Sequence, residues 1–301
     1  MTIARLLILA PLLACGRGGG FDAGEARLST LDAPAPTCDG TATELAPGLT
    51  AERWSMSDAP ATPIADRCID VVRIDLARYQ ARLGSSARDG ASRPATAWAE
   101  DLGAAAVINL GMFKDDGLPV ALAVDARGAI SGKDNPKFGG FLAFDPVDPA
   151  DPPAVVAGRT CTGFDLPALR RRYRAVVQSY RLLECDGQAI AWKDAKSYSA
   201  AAVGVDRAGR LVMIHVRAPY TMGALSAALA QPALGLRGAI FVEGGPEASL
   251  VVRGQVRSIE RVGSFETSFL EADSNHRFWD LPNVIVAVAR SPLRPTTSPS
   301  L

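Results

Sequence analysis

Apolar and polar positions along this chain alternate in short runs, with few of the long stripes that helices leave. Residues 69–76 carry apolar side chains at 69, 71, 72, 74 and 76, which predicts a strand. Residues 79–83 keep the pattern and are read as its continuation. Further strands are expected at 104–110, 120–124, 139–144 and 175–184, with a turn at 125–128 and a Pro/Asp loop at 145–153. The runs 200–205 and 211–216 flank Asp206-Arg-Ala-Gly209 and predict a hairpin. Apolar runs at 239–242, 250–252 and 283–289 complete the strands. Helices are expected at 96–102, capped by Ser92 or Thr96, at 166–173, and at 221–229, capped by Thr221. Strands dominate and helices interleave irregularly. The fold class is therefore α+β, with mixed, strand-dominated sheets in a single domain.

Residues 238–252 hold the densest chemistry. Glu243 closes an apolar run and is followed by Gly244, Gly245 and Pro246, which force a sharp turn. A carboxylate at a strand end, backed by glycines that let the backbone approach a ligand, places an acid at the rim of a pocket. A tight hairpin with Glu243 facing water fits the same residues.

Composition narrows the function. The 301 residues carry no formal net charge and 48% are hydrophobic, enough for a sizeable core. No long basic run of the kind a nucleic-acid backbone needs appears, and the cluster Arg170-Arg-Arg172 reads as a solvated helix face. Two histidines and five scattered cysteines form no zinc pattern, so no metal site is assigned. No cofactor is required, and a divalent cation is left open. Residues 1–14 have a basic start and an apolar stretch too short to span a bilayer, which reads as a signal peptide. Leu12-Leu13-Ala14-Cys15 resembles the bacterial lipobox, which implies a lipid on Cys15 and, with Gly16 next, sorting to the outer membrane. An ordinary secretory signal is the alternative. Residues 15–48 read as a flexible tether, 49–290 as the folded domain and 291–301 as a disordered tail. Cys38, Cys68, Cys161 and Cys185 remain, an even number in an exported chain, with three connectivities possible. Sequence proximity favours Cys38–Cys68 and Cys161–Cys185.

Several segments, taken in order, resemble the phosphodiester glycosidase family. They are Asn109-Leu-Gly-Met-Phe113, Pro119-Val-Ala-Leu122, Val177-Gln-Ser179, the hairpin Val203-Gly-Val205 with Gly209, and Phe241-Val-Glu-Gly-Gly-Pro-Glu-Ala-Ser249. The resemblance spans roughly residues 65–290. Three departures stand out. The family's Asp-Gly-Gly is Glu243-Gly-Gly here, no arginine precedes the central hairpin, and Ser179 is followed by Tyr180 and Arg181 where the family has Gly-Pro.

The resemblance implies a hydrolase that cleaves the C1–O bond between a sugar and a phosphodiester. The leaving phosphate is weakly basic, so a general acid matters less than in most two-carboxylate glycosidases. A carboxylate must still stabilise the cationic carbon or activate water, and donors must hold the phosphate. The family pattern assigns the carboxylate to Glu243. It assigns substrate contacts to Asn109, Gly111, Gln178, Ser179, Glu247 and Ser249, and phosphate contacts to the N–H groups of Gly244 and Gly245. Lys196 or Arg181 would replace the missing arginine. Plainer roles suit the same residues: loop cross-links for Asn109, backbone pairing for Gln178 and Ser179, a solvated surface for Lys196. His215 and His276 are read as structural. The partner is a glycan or glycosyl phosphate, with the membrane reached only through a lipid anchor. A sugar-binding lipoprotein without turnover, or a purely structural envelope protein, are the alternatives.

Overall fold

The computed structural model describes residues 37–56, 66–193, 195–267 and 274–290. The signal segment, Cys15, most of the tether and the tail at 291–301 lie outside the described residues. In chain order the strands and helices are β1 (Thr43–Ala46), β2 (Leu49–Ser55), β3 (Cys68–Ile74), β4 (Tyr79–Ser85), α1 (Ser86–Asp89), α2 (Ala95–Asp101), β5 (Ala104–Asn109), β6 (Ala123–Asp125), β7 (Gly128–Ser131) and β8 (Gly140–Pro146). There follow β9 (Ala154–Gly158), α3 (Leu166–Arg172), β10 (Tyr173–Ser179), β11 (Ser197–Asp206), β12 (Leu211–Thr221), α4 (Met222–Leu229), β13 (Leu236–Gly244), β14 (Ser249–Arg253), β15 (Ser258–Val262) and β16 (Asn283–Ala289).

Three sheets share one core. The first runs β1-β2-β3-β12-β11-β13, the second β7-β6-β10-β8-β9, the third β15-β14-β5-β16-β4. Every described ladder is antiparallel. Ile74, Val203 and Met213 from the first sheet meet Leu142 and Val177 from the second and Ile108, Leu250 and Ile285 from the third. A helix covers the outer face of each sheet: α4 packs Leu225 and Leu229 on the first, α2 packs Trp98 on the third, and α3 packs Leu169 on the second. Strands such as β3 are therefore buried along their whole length, which is why apolar runs there replace a clean alternation. The mixed α+β class holds, with the mixture in the layers and not in the strand directions.

Four expectations change. Residues 79–83 do not continue β3. A turn in which the Asp75 side chain accepts from Ala77 N at 2.9 Å sends the chain to β4, in a different sheet. The folded unit takes in residues before Leu49, since β1 pairs with β2 and Cys38 is bonded to Cys68. Neither Ser92 nor Thr96 caps α2, whose N-cap position is held by Pro94 without a side-chain cap. The segment after Glu243 is no hairpin either. β13 belongs to the first sheet and β14 to the third, and the single-turn 3-10 helix Gly245–Glu247 carries the chain between them. The two cysteine pairs are bonded as sequence proximity favours, with Cα atoms 5.7 Å and 5.6 Å apart.

Candidate active site

Glu243 owes its placement to a slip in the sheet. From Gly238 opposite Val205 to Phe241 opposite Ala202, β13 pairs regularly with β11, and then Glu243 faces Ala201, so Val242 is an extra residue. Such a bulge re-aims the side chains beside it. Phe241 and Glu243 both reach a cavity of about 410 Å³, together with Met112, Tyr180, Trp192, Lys196, Tyr198, Met222, Gly244 and Glu266. Gly244 is required where it stands, because a Cβ there would lie 2.9 Å from the Ser199 carbonyl and 3.1 Å from the Tyr198 ring. Gly245 has φ of +66°, a left-handed conformation that lets the chain turn directly behind the acid.

The electrostatics of Glu243 are unusual for a carboxyl at a strand end. Protein atoms crowd it on every side but the cavity. That loss of hydration pushes its pKa up to about 8, against the bond it accepts from Gly244 N at 3.2 Å. The charges of Glu247 and Glu266 push in the same direction. Below that pH the group is protonated. Among the described residues, no group of three or more His, Cys, Asp and Glu side chains could hold a metal ion.

The expected site residues separate into three sets. Glu243, Gly244 and Lys196 line the cavity, and Gly245 and Glu247 form the turn behind it. Gly244 N is taken by the Glu243 carboxyl, so it is not open to a phosphate as expected. Asn109, Gly111 and Ser249 make the cavity's rear support. The buried Asn109 side chain accepts from Ser249 N at 3.1 Å and ties the end of β5 to the start of β14. A Cβ on Gly111 would sit 3.3 Å from the Val242 carbonyl, so this loop lies against the bulge itself.

Gln178, Ser179 and Arg181 stand outside the cavity. The Gln178 carboxamide accepts from Asn135 N at 2.9 Å and donates to Asp134 at 2.8 Å and to the carbonyls of Asn135 and Phe138 at 2.8 and 2.9 Å. It clamps the segment 134–138 and has nothing left for a sugar. Ser179 is buried opposite Gly140 in the second sheet. Arg181 donates to Glu184 at 2.5 Å and to both sulfurs of the Cys161–Cys185 disulfide at 2.9 Å. That leaves Lys196 as the only cation among the described residues lining the cavity. Gln178→Leu is accordingly expected to lower unfolding free energy by about 2–3 kcal/mol, since it strands several buried polar groups. Denaturant titration would measure that loss, and a KM equal to wild type would separate it from any part in binding.

The aromatic walls and Glu266 were not foreseen. Only Phe241, two residues before Glu243 on one strand, carried a sequence signal. Tyr180, Trp192, Tyr198 and Met222 arrive from separate segments. The resulting chamber places an ionisable carboxyl among aromatic rings at the junction of two sheets. The phosphodiester glycosidase family matches residues 102–288, well over half of the chain. The chain belongs to this family. No curated protein matches it in sequence. By structure it is similar to a hypothetical protein from Synechocystis, with a TM-score of 0.57 and 13% identity over 85% of this chain and 64% of that one. This chain thus spans less than two thirds of the Synechocystis protein's length. It is also similar to the catalytic domain of zebrafish N-acetylglucosamine-1-phosphodiester alpha-N-acetylglucosaminidase, described as auto-inhibited by its pro-peptide. That match has a TM-score of 0.56 and 13% identity, over 83% of this chain and 87% of that one. At such identities the likeness is one of fold. The family match takes in the strands from β5 onward and leaves β1 to β4 outside. Yet β3 neighbours β12 in the first sheet and β4 neighbours β16 in the third, so this phosphodiester glycosidase fold is completed by its N-terminal strands.

Proposed function

We propose that this phosphodiester glycosidase family member is an exported hydrolase that breaks the C1–O bond of a glycosyl phosphodiester in the Glu243 chamber. The supporting observation is Glu243 itself: a carboxyl at the end of β13, in a 410 Å³ cavity of this family's fold, with a pKa pushed up to about 8. In the reaction the C1–O electron pair leaves with the phosphate monoester, water supplies oxygen to C1, and the water's proton is released. The Glu243 carboxylate stabilises the cationic carbon or takes the proton from that water. Lys196 offers the positive charge for the phosphate. Two disulfides fit an oxidising compartment, and no helix among the described residues is long and apolar enough to cross a membrane. Lipid attachment at Cys15 and residence at the outer membrane belong to the same proposal.

Hydrolysis in water enriched in oxygen-18 tests the bond assignment. The heavy oxygen is expected in the released sugar and not in the phosphate. Label in the phosphate would show P–O cleavage and sink this chemistry. A pH series tests the role of Glu243. Because the ionised form acts, kcat/KM should rise about tenfold per pH unit below about 8 and level off above it. A falling profile would make Glu243 a proton donor instead. A second reading has one observation behind it: with Lys196 as the only lining cation among the described residues, the chamber could bind its ligand without turnover.

A further inference from the structure

A cleft of about 1090 Å³ opens between β4, the edge strand of the third sheet, and the end of β8 in the second. Arg210, at the tip of the β11–β12 hairpin, lines this cleft, and Tyr198, at the other end of β11, lines the chamber. The strand between them puts the two about 26 Å apart. An edge strand offers bare carbonyls to a passing peptide, and here arginines cover them. Arg290 Nε donates to the carbonyls of Leu76 and Tyr79 at 3.1 and 3.2 Å, and Arg127 donates to that of Leu83. The bonds of Arg290 use one nitrogen and hold its stem against the chain, and its two terminal nitrogens have no partner among the described residues. Arg82 is held in a similar way. Its Nε and one terminal nitrogen donate to Gln80 Oε1 at 3.0 and 2.7 Å, and the other terminal nitrogen has no partner among the described residues. Arg78 stands beside Arg290, whose N–H donates to the Arg78 carbonyl at 2.8 Å. Its exposed guanidinium meets Asp75 only at 3.9 Å.

Carboxylates line the cleft as well, namely Asp75, Asp145 and Asp151. Asp151 is bound by Arg172 and Asp145 lies 3.6 Å from Arg174, and neither arginine lines the cleft. Arg210 is answered by Asp206. Arg78, Arg82 and Arg290 are left against Asp75 alone, three positive charges to one negative, in a chain of zero formal net charge. Guanidinium groups whose stems are already fixed suit a phosphate, because its oxygens accept the paired donors that arginine presents. The shape narrows the source of that phosphate. Pro146, Pro149 and Pro153 stiffen one wall, and the cleft is recessed, so a chain can lie in it. A membrane is flat and meets protruding side chains instead. We propose that this cleft is a second binding site, which holds phosphate groups carried on a glycan chain. That the chain is a glycan rests on the hydrolase reading, but the phosphate at the arginines does not. One glycosyl phosphate is too short to reach from cleft to chamber, so the two sites engage different units of a polymer.

Titration calorimetry on the whole chain would compare phosphomannan with the same mannan stripped of its phosphate. Binding of the phosphorylated polymer is expected to be roughly tenfold tighter or more, and to weaken as salt is raised. Arg78→Gln combined with Arg82→Gln should lower that affinity by roughly tenfold. Both side chains are exposed, so their loss leaves the fold intact. Arg290→Gln should act in the same direction, with a thermal melt to show that the protein is folded. Lys196→Gln, in the chamber, should change the affinity by less than about twofold. Equal affinities for the two mannans would overturn the proposal, as would a loss in Lys196→Gln that spares the arginine variants. Binding to phosphatidylglycerol vesicles without binding to phosphomannan would overturn it too, and make the cleft a membrane contact. Phosphate-dependent binding at the arginines, with no phosphodiester turned over, would remove the hydrolase reading and leave this site standing. Turnover with no such binding would do the reverse.

Discussion

Glu243→Gln is expected to lose roughly 10²–10⁴-fold in kcat while becoming more stable than the wild type as pH rises. The two effects have one cause. Crowding by protein raises the Glu243 pKa from an ordinary 4.5 to about 8, so between those values the folded protein holds a proton that the unfolded chain releases. Stability contributed by this group is complete below pH 4.5 and lost as pH rises toward 8. The limiting slope is about 1.4 kcal/mol per pH unit, and the open side of the cavity reduces it, so the variant's advantage should reach about 2 kcal/mol near pH 8. Gln keeps the shape without the ionisation, so its profile lacks this decline.

His215 bends the wild-type profile the other way. Full burial lowers its pKa from 6.5 to about 4, with its Nε2 3.2 Å from the Ala248 carbonyl at the end of the turn behind Glu243. Its contribution is present above 6.5 and lost on acidification toward 4. Between 4.5 and 6.5 the two slopes oppose one another, and wild-type stability should be nearly flat there. Thermal melts of both proteins at pH 5, 7 and 8.5 test this. A Glu243→Gln advantage that does not widen between pH 5 and 8.5 would mean that the carboxyl ionises normally and has no special environment.

What the sequence made legible follows from how local each cause is. The β11–β12 hairpin could be read because Asp206 to Gly209 supply its turn: the Asp206 side chain accepts from Ala208 N and Arg210 N at 3.0 and 2.9 Å, and Gly209 takes φ of +80°. Thr221 could be read as the cap of α4, where its hydroxyl accepts from Ala224 N at 3.1 Å. Glu243 could be singled out because it ends a buried run. β2 escaped notice because Glu52 and Arg53 break its apolar pattern, and their ionic partners, Arg73 for Glu52 and Asp66 and Asp70 for Arg53, lie 13 to 21 residues later. β9 is short and sits just after Pro152 and Pro153, where a loop was the simpler reading. Gln178 fits a sugar ligand in type, but its partners lie 40 to 56 residues earlier. No local pattern reports that distance, nor does one report that Tyr180, Trp192 and Glu266 converge.

Arg73→Met is expected to cost about 3–5 kcal/mol of stability at pH 7 while leaving the chamber's KM unchanged. Arg73 is only 5% exposed. It forms a two-pronged bond to Glu52 at 2.8 and 3.0 Å, and reaches Asp206 at 3.2 Å and the Leu234 carbonyl at 2.9 Å. Methionine fills the space of the aliphatic stem but strands the buried Glu52 carboxylate and leaves Asp206 with Arg210 as its remaining arginine, and stranding a charge costs more than a well-paired ion pair contributes. Burial alone would push Glu52 up, and bonds from Arg73 and Trp54 outweigh it and hold the group below the usual carboxylate range. With Arg73 gone, Glu52 should take up a proton more readily, so the deficit should shrink as pH falls toward 4. A deficit that stays constant across that range would point to lost packing instead of stranded charge. The cluster lies at the Asp206 end of β11 and the chamber at the Tyr198 end. Eight residues of strand, about 26 Å, separate them, which is why stability should fall without a change in binding.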